Sequence, residues 1–288
     1  MEIKEIRSSQ NETYKLIKSL KDKKGRDSSG MFFIEGSRFV DEALETTNQI
    51  EWLLYSEKYQ IEKLIDNIQL NINGSLSGLK ILMLPEKLFD DLCNTDNPQG
   101  IAAVIKTYKY DIQSIIKTKK MFLILDGIQD PGNMGTMIRT ADATGFDAVI
   151  MSEGCVDIYN PKVLRATMGS IFHIPVVKSD NILATIESMK NENISIYAAD
   201  LKGDKSLFEE SFSYKTAIIT GNEANGISQV VLDSADVLLN IPMAGFTESL
   251  NASIAGGILL YEVFRKRGGW LILTEDFTNE GFNCIWFI

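Results

Sequence analysis

Residues 121–145 read MFLILDGIQDPGNMGTMIRTADATG, and this stretch decides the fold class. The apolar run Met121–Leu125 has no polar residue at alternate positions, so it reads as a strand covered on both faces. It closes on Asp126 and Gly127, crosses the turn-rich segment Gly127–Gly135 and enters a helical pattern over 136–145. A buried strand that passes through a polar loop into a helix is the repeating step of a parallel α/β sheet. Such sheets bind ligands at the carboxyl ends of their strands.

The same step recurs downstream. Strands are expected at 147–152, 171–178, 195–200, 216–221 and 237–242, with helices at 160–170, 181–192 and 249–267. Upstream, a polar helix over 11–24 ends at the breaker Gly25. Strands at 31–36, 51–56, 80–85 and 100–108 then alternate with helices at 37–45, 59–68 and 86–94. The chain is therefore expected to be α/β throughout: a small unit over 1–107, a polar linker over 108–119 and a parallel-sheet unit over 120–267. The tail 268–288, rich in Trp, Phe and Ile, fits neither unit and has no assigned role.

Composition narrows the function. With 44% hydrophobic and 24% charged residues among 288, the chain is globular, and it has neither a membrane-length apolar run nor an apolar leader. Cys93, Cys155 and Cys284 are far apart and odd in number, which predicts reduced thiols in a cytoplasmic protein and no metal cluster. The single histidine, His173, sits in the apolar run IFHIPVV and reads as a packed residue beside a strand. A net charge of −10 argues against a general nucleic-acid binder, yet residues 1–30 are locally basic. On charge alone these basic residues are as consistent with a solvated helix face as with RNA contact.

The glycines Gly127, Gly132 and Gly135 do not make a dinucleotide fingerprint, and no phosphate-binding Gly-Lys-Ser/Thr occurs. Three other constellations stand at strand-to-helix junctions. In Asn133–Ala141, Arg139 falls in the expected first turns of a helix, where a cation opposes the helix dipole and so points to another task. In Gly221–Ser228, glycines and asparagines expose main-chain groups suited to an adenine edge, or simply make a turn. In Glu248–Ala255, Ser249 or Asn251 can cap the last helix, which leaves the rest of the polar cluster unexplained.

In this order, NMGTMIRTADATG, GNEANGIS and IPMAGFTESLNASIAGGILLYE resemble the three motifs of the SpoU (TrmH-like) family of RNA 2′-O-ribose methyltransferases, of the SPOUT superfamily. FFIEGSRFVDEAL and NPQGIAAV resemble that family's RNA-binding extension, so the likeness runs to about Arg267. The resemblance implies a C-terminal trefoil knot, S-adenosyl-L-methionine as cofactor, no metal, and a homodimer whose sites are completed across the interface. It implies cofactor contacts from Thr220, Gly221, Asn222, Ile241, Ser249 and Leu250. Arg139 would act on the ribose hydroxyl and adjacent phosphate, with Asn133, Glu223, Ser249 and Asn251 organising the site. Lys21, Lys23, Lys24, Arg26 and Arg165 are the candidate RNA contacts. The RNA-binding extension favours ribosomal RNA over transfer RNA, and the alternative to an enzyme is a non-catalytic RNA-binding protein on the same fold.

Overall fold

The structure, a computed structural model, describes residues 2–47, 49–61, 79–247 and 249–268. The described residues form two compact units. One gathers those of Met1–Asp111, Asp130–Arg139 and Val156–Pro175; the other gathers those of Ile112–Gln129, Thr140–Cys155 and Val176–Ile288.

The N-terminal elements are β1 (Glu2–Glu5), α1 (Glu12–Ser19), α2 (Lys23–Ser29), β2 (Met31–Glu35), α3 (Ser37–Thr46), β3 (Ile50–Ser56), β4 (Lys80–Leu84), α4 (Glu86–Leu92) and β5 (Ile101–Lys106). They build a mixed sheet in the order β1-β4-β3-β5-β2, with β1, β4 and β3 parallel and β5 antiparallel to both its neighbours. Tyr14, Ile17 and Leu20 from α1 and its C-cap pack with Phe33, Leu54, Leu82, Phe89 and Val104 in one core. Burying each such side chain contributes roughly 1.5–3 kcal/mol before conformational entropy is counted.

The chain continues through α5 (Ile112–Thr118), β6 (Met121–Asp126), α6 (Pro131–Ala143), β7 (Ala148–Met151), α7 (Pro161–Thr167), a 3₁₀ turn (Ser170–Phe172), β8 (Val176–Lys178) and α8 (Ile182–Asn191). It ends with β9 (Ser195–Ala199), β10 (Lys205–Ser206), β11 (Thr216–Gly221), α9 (Gln229–Leu232), β12 (Val237–Asn240) and α10 (Ala252–Lys266). The seven strands order as β10-β12-β9-β11-β6-β7-β8, and every neighbouring pair is parallel. β6 is buried from Phe122 onward, as its unbroken apolar run requires. From β6 the chain moves outward to β7 and β8, then returns to β9 on the far side of β11. The strand order thus reverses between β6 and β11, whose last residues Asp126 and Gly221 stand in register. Such a switch point opens a crevice at the strands' carboxyl ends.

Several expectations need correction. The helix expected over 11–24 breaks at Leu20–Asp22, and Gly25 lies inside α2. The guanidinium of Arg26 draws in the carbonyls of Leu20 and Lys21 at 2.8 Å each, turning the chain where the periodicity ran on. Residues 171–178 are not one strand: a 3₁₀ turn precedes the short β8. His173 is exposed there, not packed, with Nε2 2.7 Å from Glu42 Oε1. The polar separator before β6 folds as α5, burying Ile115 and Ile116. Helix α6 starts at Pro131, so Arg139 lies past its midpoint and the dipole argument no longer applies to it. Most of the helix expected over 59–68, Glu248, and all but Gly268 of the tail fall outside the described residues. Among the described residues no helix is long and apolar enough to cross a membrane.

Candidate cofactor and active site

A cavity of about 600 Å³ opens at the carboxyl ends of β9, β11 and β12 and against the start of α10. Its walls are Ala199–Lys202 after β9, Thr220–Ile227 at the end of β11, Leu239, Ile241 and Met243 around β12, and Ser249, Leu250, Ala252 and Ala255 leading into α10. This volume lies within the range of small-molecule and cofactor sites.

The loop after β11 is held by its own sequence. Gly221 permits a close approach that no other residue could make: an added Cβ would lie 2.2 Å from both Gly226 C and Ile227 N. Asn222 N donates to Gly226 O and Gly226 N donates back to Asn222 O, both at 2.9 Å. The Asn222 side chain accepts from Ala224 N at 2.9 Å and Asn225 N at 3.1 Å, and its Nδ2 donates to Gly127 O at 2.8 Å. A short polar residue that bonds amides two and three positions on shapes such a turn directly.

Beneath this loop sits Asp126, buried at the end of β6. Its Oδ2 accepts from Ser228 N at 2.8 Å and Ser228 Oγ at 2.7 Å, and its Oδ1 accepts from Ser152 Oγ at 2.8 Å. Three donors satisfy a buried carboxylate and anchor the far end of the loop to the sheet. Asn240 Nδ2 donates to Gly203 O at 2.6 Å and ties the end of β12 to the β9–β10 connection. Asn251 caps α10, its Oδ1 accepting from Ser253 N at 3.0 Å, Ser253 Oγ at 2.7 Å and Ile254 N at 3.3 Å. Nearby, Cys155 Sγ donates to Leu125 O at 3.3 Å, and burial pushes its thiol upward, which keeps it un-ionised.

The cavity therefore brings together Thr220, Gly221, Asn222, Glu223, Ile241, Ser249 and Leu250. Asn251 is not among its lining residues, and its carbonyl is committed to capping. Asn133 and Arg139 belong to the other compact unit. Asn133 is buried in the first turn of α6, where its N–H donates to Asp130 Oδ1 at 2.8 Å. Arg139 is exposed and has no hydrogen-bond or ion-pair partner among the described residues. Asp126, Ser152, Asp200 and Lys202 were not singled out from the sequence, and Ser228 was named only as the end of the Gly221–Ser228 segment. The available signal was Asp126 itself, a carboxylate ending an otherwise apolar buried strand.

Of the candidate RNA contacts, Lys23 and Lys24 are exposed, and Lys21 Nζ donates to Cys93 O at 2.9 Å. Arg165 is exposed and its Nη1 stands 3.8 Å from Glu35 Oε1. Arg26 is corrected: it is only 5% exposed, and its guanidinium is occupied by Asp157 and two backbone carbonyls. It is not available to a phosphate.

The donor set suits S-adenosyl-L-methionine. Ile227, Leu239, Ile241 and Leu250 offer apolar surface to a purine, main-chain groups around Gly221 can meet its edge, and Asp200 and Glu223 offer carboxylates to a cationic ligand. A parallel α/β sheet with a cavity at the carboxyl ends of its strands is the common setting of a small-molecule or cofactor site. Residues 120–261 match the SpoU rRNA Methylase family, and residues 11–103 match the MRM3-like substrate binding domain. The chain is 36% identical over 261 residues to the Bacillus subtilis 23S rRNA (guanosine(2553)-2′-O)-methyltransferase RlmP, covering 91% of this chain and 99% of that protein. Among solved structures it resembles the AdoMet-bound rRNA methyltransferase of Sinorhizobium meliloti, with TM-score 0.81 and 30% identity over 91% of this chain and 98% of that one. It also resembles the SpoU methyltransferase AviRb of Streptomyces viridochromogenes in complex with AdoMet, with TM-score 0.79 and 27% identity over 90% and 98% of the two chains. The chain belongs to the SpoU rRNA methylase family. It is an RNA 2′-O-ribose methyltransferase that uses S-adenosyl-L-methionine.

Proposed function

We propose that this enzyme methylates a ribose 2′-hydroxyl of ribosomal RNA, as a cytoplasmic homodimer. The observation that carries this reading is the cavity at the β9–β11–β12 edge, built by the same Gly221–Ser228 and Ile241–Ala255 segments that carry the family motifs. The ribosomal substrate is supported by the full-length likeness to a 23S rRNA enzyme and by the substrate-binding match over residues 11–103. Residues 1–107 serve RNA binding, 108–119 connect, and 120–267 form the methyltransferase domain with a C-terminal trefoil knot. The dimer is supported by exposed apolar side chains in and before α10: Phe246, Ile254 and Tyr261 are each at least half exposed.

Thr220, Gly221, Asn222, Ile241, Ser249 and Leu250 hold the cofactor, which supplies an electrophilic methyl group when bound. Arg139 receives the phosphate beside the target ribose and donates to the developing alkoxide, while the hydroxyl proton passes to another acceptor. Asn133, Glu223, Ser249 and Asn251 orient the site, Asn251 by starting α10 where Leu250 meets the cavity. Holding the hydroxyl in line with the methyl group supplies much of the rate. Mapping 2′-O-methylated nucleotides in total RNA from a deletion strain tests the substrate. One missing methylation in ribosomal RNA is expected; loss only from transfer RNA refutes the ribosomal assignment. Sedimentation of an active monomer would refute the dimer.

A further inference from the structure

Arg26 is the one buried cation among the described residues, and its contacts lead to the helix that carries Arg139. Nε and Nη2 both donate to Asp157 Oδ2, at 3.1 and 2.6 Å, while Nη1 donates to Leu20 O and Lys21 O. Asp157 uses its other oxygen to accept from Tyr159 N at 3.0 Å. The Tyr159 ring stacks on Phe32 with centroids 4.5 Å apart, and its hydroxyl accepts from Tyr108 N at 3.1 Å. Residues 157–159 are thus gripped from three sides by the N-terminal elements.

The grip is passed on without a gap. Asn160 follows as the N-cap of α7, accepting from Lys162 N at 2.9 Å. Helix α7 in turn meets the start of α6 at Gly135, where an added Cβ would lie 2.4 Å from Ala166 Cβ and 2.8 Å from Val163 O. Arg139 follows Gly135 by about one helical turn. All these residues lie in one compact unit.

We propose that Arg26 is a positioning residue for methyl transfer. Through Asp157, α7 and the Gly135 contact, it fixes the part of α6 that presents Arg139 and makes that helix one body with the RNA-binding elements. This rests on the role proposed above for Arg139. The chemistry of the link fits: a buried ion pair is a poor device for stability alone, whereas its directed hydrogen bonds select one geometry. The planar fork of Arg26 serves one carboxylate and two carbonyls at once, which a lysine ammonium cannot reproduce.

The test uses the full chain carrying Arg26→Gln, Arg26→Lys, Asp157→Asn, Tyr159→Phe or the Arg26→Gln/Asp157→Asn pair. At saturating RNA and S-adenosyl-L-methionine, kcat should fall by about 10- to 100-fold in Arg26→Gln and Asp157→Asn, the scale expected of small misplacements. Arg26→Lys should recover little, and the double variant should be no worse than the poorer single one. Cofactor affinity by calorimetry, and RNA affinity with its salt slope, should match wild type. Tyr159→Phe, which keeps the ring and the ion pair, should show a smaller loss and guards against variants that do not fold.

Hydrogen exchange supplies a readout that does not need turnover. Amides of 133–139 and 157–167 should lose protection in Arg26→Gln and Asp157→Asn. Unchanged protection there overturns the inference whatever the activity. So does unchanged kcat per folded molecule, or a flatter salt slope, which would make Arg26 a phosphate contact. Near-normal turnover in Arg139→Ala, with the exchange result as expected, would instead refute the role assigned to Arg139 and, with it, the inference drawn from that role.

Discussion

The two sheets of this protein handle their polar residues in opposite ways. In the seven-stranded sheet every pair is parallel, so all carboxyl ends emerge along one edge. Asp126, Thr220 and Asn240 gather there and shape a cavity. In the five-stranded sheet β5 runs against both neighbours, so strand ends of both kinds share each edge. Its charges work as cross-braces: Glu51 grips Lys80 at 2.5 Å and Lys106 at 3.0 Å, and beside the sheet Lys18 of α1 pairs with Asp91 of α4 at 2.6 Å. Parallel order concentrates backbone ends and loops where a cofactor can be enclosed, whereas mixed order leaves a braced surface suited to presenting charge.

That contrast breaks most visibly if the chemistry does not depend on an exposed, unpartnered side chain outside the cavity walls. Arg139→Ala is expected to lower methyl transfer by about 10²–10³ while cofactor affinity stays near wild type. Arg139→Lys should rescue little. Calorimetry paired with tritium transfer to RNA decides it, and near-normal turnover in Arg139→Ala removes the assignment.

The parallel edge can be tested next at the cavity. Leu250→Arg should abolish measurable cofactor binding by filling the site. Asp126→Asn is gentler: an amide donor set against Ser228 N–H leaves one buried group unsatisfied, at a cost of about 1–3 kcal/mol. Cofactor affinity should drop correspondingly, by roughly 5- to 150-fold at 1.4 kcal/mol per decade. Affinity unchanged in Asp126→Asn would mean the loop holds its shape without the anchor.

The braced surface predicts smaller effects. Lys23→Gln and Lys24→Gln should each weaken RNA binding and reduce its salt slope by about 1, with cofactor affinity unaltered. An unchanged slope returns α2 to a solvated helix. Smallest is an acid effect in α10. The hydrogen bonds from Arg265 hold the Glu262 carboxyl below its ordinary value, against the burial that works upward. A depressed folded-state value stabilises the protein above the ordinary carboxylate value of about 4.3, and that contribution is lost as the pH falls through the lower folded value. The acid-side decline in Tm should therefore be shallower in Glu262→Gln, and an identical pH profile would contradict this.

Much of the site was legible because its requirements are local. Gly221 and Asn222 announce a tight turn through their own backbone and side-chain chemistry, and Asn251 announces a helix start through a side chain suited to capping. Arg26 was misread for the opposite reason. A basic residue in a basic stretch looks like surface, and its partner Asp157 lies 131 residues away. Arg139 was singled out from a wrong helix boundary, because a proline at the first helical position extended α6 back to Pro131.

The sequence by itself determined the alternation of buried strands and helices, the absence of nucleotide fingerprints, and the two segments, Gly221–Ser228 and Ile241–Ala255, that wall the cavity. These follow from side-chain periodicity and turn chemistry, which act over a few residues. Only the tertiary structure decided that β11 lies between β6 and β9, that Asp126 anchors a loop beginning nearly a hundred residues later, and that Arg26 is a buried clamp and not an RNA contact. Each of those depends on which distant groups must satisfy one another once water is excluded, and no local pattern encodes that pairing.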